Sequence, residues 1–81
     1  TIESELKTYK DQLDKQLETK IKDFREKYDA YEKGASMMTD VIRADKEKEL
    51  QDLNNQIEAF QKNAEQSLQE KQQKLMKPVL E

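Results

Sequence analysis

The chain has 81 residues, 33% of them apolar and 41% charged, with a net charge of −3 at neutral pH. An apolar share so far below the ~45–50% usual in globular domains leaves no material for a compact core with a deep cleft. His, Cys and Trp are absent, and Gly and Pro occur once each; this excludes thiol chemistry, disulfides, zinc knuckles, Ser-His-Asp catalysis and glycine-rich phosphate loops.

Ala, Glu, Lys, Leu and Arg make up close to half of the sequence, the composition of a coiled coil or long helix. Both signs of charge are mixed along the chain, so no basic block is available to grip nucleic acid. No apolar run is long enough to cross a bilayer, and direct membrane insertion is not expected. The Asp, Glu, Lys and Tyr side chains are not spaced to gather around a pocket. No enzyme activity, no metal and no cofactor is therefore expected. The sequence starts at Thr1 without Met or a signal peptide and ends at Glu81, which reads as a processed or excised piece.

Residues 1–34 are expected to form a first coiled-coil helix. No breaker interrupts residues 1–33, and one apolar side chain recurs per turn: Ile2, Leu6, Tyr9, Leu13, Leu17, Ile21, Phe24, Tyr28 and Tyr31. A narrow stripe of this kind is a coiled-coil seam, with the remaining surface polar. The successive four-residue steps Leu13, Leu17 and Ile21 form a stutter that locally unwinds a supercoil. Acid-then-lysine pairs at i,i+4 recur outside the stripe: Glu3–Lys7, Asp11–Lys15, Glu18–Lys22, Asp23–Lys27, Asp29–Lys33, Glu58–Lys62 and Glu70–Lys74. Each adds ~0.2–0.5 kcal/mol and leaves a solvated charged face.

Residues 35–39 are expected to be the tip of a helical hairpin. Gly34 can take the left-handed conformation that ends a helix, and Ser36, Thr39 or Asp40 can cap the next one. Residues 40–81 then form the second helix, with the stripe Ile42, Leu50, Leu53, Ile57, Phe60, Ala64, Leu68, Leu75 and Val79. A fold-back at the tip sets Leu6 opposite Leu68, Leu17 opposite Ile57, Ile21 opposite Leu53 and Phe24 opposite Leu50. It leaves Leu75, Met76, Val79 and Leu80 without partners in the first arm. Pro78 predicts a kink or helix end. The competing arrangement is one continuous helix through Gly34, which costs only ~1 kcal/mol relative to Ala; it would be a structural coiled-coil rod or scaffold segment of about 115 Å that only oligomerises.

The second arm carries a resemblance. Met38-Thr39-Asp40-Val41-Ile42-Arg43, Lys46-Glu47-Lys48-Glu49-Leu50-Gln51-Asp52-Leu53, Ile57-Glu58-Ala59-Phe60-Gln61, Ala64-Glu65-Gln66-Ser67-Leu68 and the ending Lys71-Gln72-Gln73-Lys74-Leu75-Met76-Lys77-Pro78-Val79-Leu80 resemble the OmpH/Skp family of periplasmic outer-membrane-protein chaperones. The similarity covers residues 38–80 and is greatest to the acidic, Gln-rich members of Bacteroidetes-type bacteria. It implies an all-α hairpin, an antiparallel coiled coil that is one tentacle of a jellyfish-like homotrimer. It also implies a periplasmic location and an ATP-independent holdase that keeps unfolded outer-membrane β-barrel proteins from aggregating. The best-known member is strongly basic whereas this chain is acidic, so attraction of acidic clients by charge is not expected here.

Five side chains are the candidate client-binding residues. Tyr28 and Tyr31 are amphipathic, and their hydroxyls need water or a partner wherever the rings are covered. Met37 and Met38 stand in the turn where polar residues would be expected, and Met suits adaptable binding surfaces. Val41 opens the second arm. The alternative role for Met37, Met38 and Val41 is to plug the end of the hairpin core. Phe24 and Phe60 are expected to fill the seam.

Overall fold

The computed structural model describes residues 1–80, with side chains through Met76. Two helices, α1 (Ile2–Gly34) and α2 (Asp40–Leu80), are joined by a 3₁₀ turn at Ala35–Met37. They pack against each other as an antiparallel hairpin with extents of 63 × 17 × 8 Å. A single helix of this sequence would reach about 115 Å, so the continuous rod is overturned.

Helix α1 starts on a side-chain cap. The Thr1 hydroxyl accepts from the Ser4 amide at 3.1 Å, and Glu3 and Glu5 lie in the first turn, where the helix dipole favours acids. With no proline inside α1 and one apolar residue per turn, the 33-residue element needs only one narrow face covered. That face is the predicted stripe. Ile2, Leu6, Tyr9, Leu13, Leu17, Ile21, Phe24 and Tyr31 are half-buried in α1, and Leu50, Leu53, Ile57, Phe60, Ala64 and Leu68 in α2. The stutter residues Leu13, Leu17 and Ile21 all remain in the seam. Among the described residues none is fully buried, because two helices can cover only one flank of each other. Tyr28 and Ile42 depart from the stripe and are exposed.

Contacts between side-chain ends join Tyr31 to Glu47, Lys20 to Phe60 and Lys71 to Tyr9. Helical side chains lean toward their own N-terminus. In an antiparallel pair, tip contacts therefore join residues several positions further along the chain than backbone level alone would pair. Helix α2 outlasts α1 by eight residues, 41 against 33. In this overhang Leu75 is half-buried and Met76 is 40% exposed. Helix α2 runs through Pro78 to Leu80, and the side chains of Pro78, Val79 and Leu80 lie outside the described residues.

One expectation is corrected, and the choice among the weak ion pairs is now visible. Gly34 is not left-handed: its φ of −103° and ψ of −8° are right-handed, and no described residue has a positive φ. The reversal is made four residues later, where Met38 is extended at φ −87° and ψ 149°. The glycine answers instead to a close approach, since a Cβ at residue 34 would lie 3.3 Å from the Met38 methyl. Among the seven predicted ion pairs only Asp23–Lys27 is closed, at 3.2 Å. Lys7 pairs forward with Asp11 at 3.0 Å, and Lys10 with Asp14 at 3.2 Å. Lys7, with Glu3 behind it and Asp11 ahead, has two nearly equal choices in water, and no such exposed pair is worth much.

Candidate binding surface at the hairpin tip

The tip must reverse the chain without a left-handed residue, and it must satisfy the carbonyls that end α1. Arg43 meets the second need. Its Nε donates to the Ala35 carbonyl at 3.2 Å and a terminal nitrogen donates to the Met38 carbonyl at 3.0 Å. The other terminal nitrogen reaches the Asp40 carboxylate at 3.2 Å. One planar guanidinium thus ties two carbonyls of the turn to the first turn of α2, a task its fork of donors suits and an ammonium does not. Thr39 is the cap of α2: its hydroxyl accepts from the Ile42 amide at 3.2 Å and its carbonyl from the Arg43 amide at 2.9 Å.

The five candidate residues are divided between two roles. Met38 is half-buried and folds back against Gly34, so it is the plug. Met37 is 92% exposed and Val41 72% exposed; both point away from the seam. Ile42 joins them at 46%. Helical neighbours are separated by ~100°, so Val41 and Ile42 cannot both face α1, and in this structure neither is covered by it. Four of the five exposed large apolar side chains among the described residues, Tyr28, Met37, Val41 and Ile42, lie in this end of the hairpin.

Tyr28 and Tyr31 sit below the apex on one flank. Tyr28 stacks on Phe24 with ring centroids 6.1 Å apart and 22° between planes. The two tyrosines, Phe24, Glu47, Leu50, Gln51 and Asn54 line an open groove of about 330 Å³. The Tyr31 ring is half-buried, and its hydroxyl crosses to α2 and donates to the Glu47 carboxylate at 2.5 Å. This bond occupies the stretch between Ile42 and Leu50 where α2 has no large apolar residue to give the seam. Hydrogen bonding to Glu47, then desolvation and the carboxylate's charge, raise the Tyr31 pKa above the ordinary 10.0. Tyr28 is raised as well, first by hydrogen bonding to Glu32 and then by that carboxylate's charge. A raised phenol favours its neutral form in the folded hairpin. The Tyr31 bond is therefore complete at neutral pH and is lost only as pH climbs past the raised value.

The structure divides the five candidate residues by exposure. Tyr28, Met37 and Val41 are presented to solvent, Tyr31 is a bridge between arms, and Met38 is internal. The sequence reading missed Ile42 as part of the surface and Arg43 as its support. An Ile directly after an exposed Val, and an Arg three residues after the acid that opens a helix, were the available signals. No group of carboxylates able to hold a metal ion is present among the described residues. No described helix is long and apolar enough to cross a membrane.

A family model described as outer membrane protein (OmpH-like) matches residues 1–81, the whole chain. No curated protein and no solved structure matches it.

Proposed function

The chain belongs to the OmpH-like outer membrane protein family, and from that membership we propose that it is an arm of an ATP-independent periplasmic holdase that keeps unfolded outer-membrane β-barrel proteins from aggregating. The arm works within a homotrimer, and it grips through adaptable apolar contact rather than through a shaped pocket. The observation that carries this reading is the tip: Met37 and Val41 stand 92% and 72% exposed on a hairpin whose exposed surface is mostly charged or amide. An apolar cluster held out in water by a tied turn offers gain to any unfolded chain with apolar side chains to cover. Flexible, polarizable Met tolerates many shapes of partner. With a net charge of −3, long-range attraction of acidic clients has no part in the grip.

The test is to dilute a urea-unfolded outer-membrane β-barrel into buffer containing increasing amounts of the protein and to follow light scattering. A holdase suppresses aggregation at near one trimer per client without nucleotide. Replacing Met37 and Val41 together by Glu is expected to weaken the suppression about tenfold, since two largely exposed apolar contacts are lost and helix content is not. Absence of suppression by the unaltered protein at large excess would leave a coiled-coil spacer. Full suppression by the double variant would move the site to the Tyr28 groove.

A further inference from the structure

The three methionines are placed very unequally. Met37 lies at the apex with 92% of its surface exposed, Met38 is half-buried against Gly34, and Met76 in α2 is 40% exposed. The turn is held by backbone and Arg43 bonds, and the Met37 side chain makes none of them. A chemical change at its sulfur would therefore alter the surface and leave the turn standing. Thioether oxidation has that effect, because the sulfoxide is polar and chiral where the thioether was apolar and flexible.

We propose that Met37 is a reversible oxidation site that switches the apolar tip of the hairpin to a polar one. The consequence for holding rests on the reading given above; the selectivity for Met37 does not. The oxidant is a hydroperoxide. The Met37 sulfur attacks one peroxide oxygen, a sulfur–oxygen bond forms and the oxygen–oxygen bond breaks. Sulfur gives up two electrons, and the departing oxygen takes a proton and leaves as water from hydrogen peroxide, or as an alcohol from an organic hydroperoxide. Reduction by a dithiol through a methionine sulfoxide reductase returns the thioether, with water and a disulfide as the other products. Met38 is shielded, so the plug of the turn keeps its apolar character while the apex loses it.

The experiment titrates the protein with hydrogen peroxide, locates sulfoxide by peptide mass spectrometry, and assays suppression of β-barrel aggregation on the same samples. Met37 is expected to be oxidised first, with helix content unchanged and suppression weakened about threefold, as expected for losing one of the two exposed apolar anchors. Treatment with sulfoxide reductase and dithiothreitol should restore it. In Met37→Leu the suppression, whatever its starting level, should not move with peroxide. Equal or faster oxidation of Met38 or Met76 would overturn the site. Selective oxidation of Met37 with unchanged suppression would overturn the switch and leave the holdase reading intact. Absence of suppression by the reduced protein would remove that reading and the switch with it, whatever the order of oxidation.

Discussion

The shaft and the tip of this hairpin are built on different principles. Along the shaft, α1 and α2 share an apolar stripe in which every described member but Tyr28 and Ile42 is half-buried, and most do the same job as the next. At the tip, α2 offers no large apolar residue to the seam between Ile42 and Leu50, and order comes from directional bonds instead: Arg43 to two carbonyls, the Thr39 cap, and Tyr31 to Glu47. Apolar area is additive and forgiving, since any residue of about the right size can supply it. Bonds at fixed angles are neither. The molecule keeps its tolerance where it needs length and its specificity where apolar side chains must be held out in water.

A charge inside the stripe should break the shaft most severely. Leu53→Asp removes a half-buried leucine and sets a carboxylate against α1, at a cost of about 2 kcal/mol. In a scaffold this small, that is expected to show as a clear loss of ellipticity at 222 nm in a thermal melt. Arg43→Ala should come next, near 1 kcal/mol. Its bonds are charge-assisted, but the side chain is 37% exposed, and solvent screening trims them. The signature is local: amide exchange should quicken over residues 35–42 while the shaft between residues 6 and 24 keeps its protection. Arg43→Lys should recover only a part, because an ammonium cannot span the Ala35 and Met38 carbonyls together. Loss spread evenly over both arms in Arg43→Ala would erase the distinction between tip and shaft.

The difference between the regions also decides what could be read in the sequence. The stripe was legible because helical periodicity is written one residue per turn, and Leu6, Leu13, Leu17, Ile21, Leu53 and Ile57 fall in the seam. The turn was legible from its odd composition, Gly34 through Asp40, and so was the apolar character of Met37 and Val41. How the turn works was not. The spacing of Arg43 from Asp40 marks at most their pairing, and its main role exists only once the Ala35 and Met38 carbonyls are brought within reach of it. The division of Met37 from Met38, and the loss of Ile42 from the seam, depend on a rotation of α2 that periodicity does not fix. Which ion pairs close was not legible either, because each exposed pair is worth little in water.

The smallest effect is expected at the residue that the sequence marks most strongly. A glycine that ends a helix in the left-handed region loses stability when a side chain is added. Gly34 is right-handed, so the backbone does not object to alanine, and alanine is intrinsically better in a helix by up to ~1 kcal/mol. Against this stands one contact, the new Cβ at 3.3 Å from the Met38 methyl. That methyl is the end of a flexible side chain and can move by a few tenths of an ångström without disturbing the Arg43 bonds to the turn. At the last residue of α1 the propensity gain is only partly realised. Gly34→Ala should therefore raise stability by about 0.5 kcal/mol or less, measured as a rise in Tm of at most about 3 °C at constant helix content. A loss of 1 kcal/mol or more would mean that Met38 is held as rigidly as the turn around it, and that the tip tolerates packing changes no better than it tolerates broken bonds.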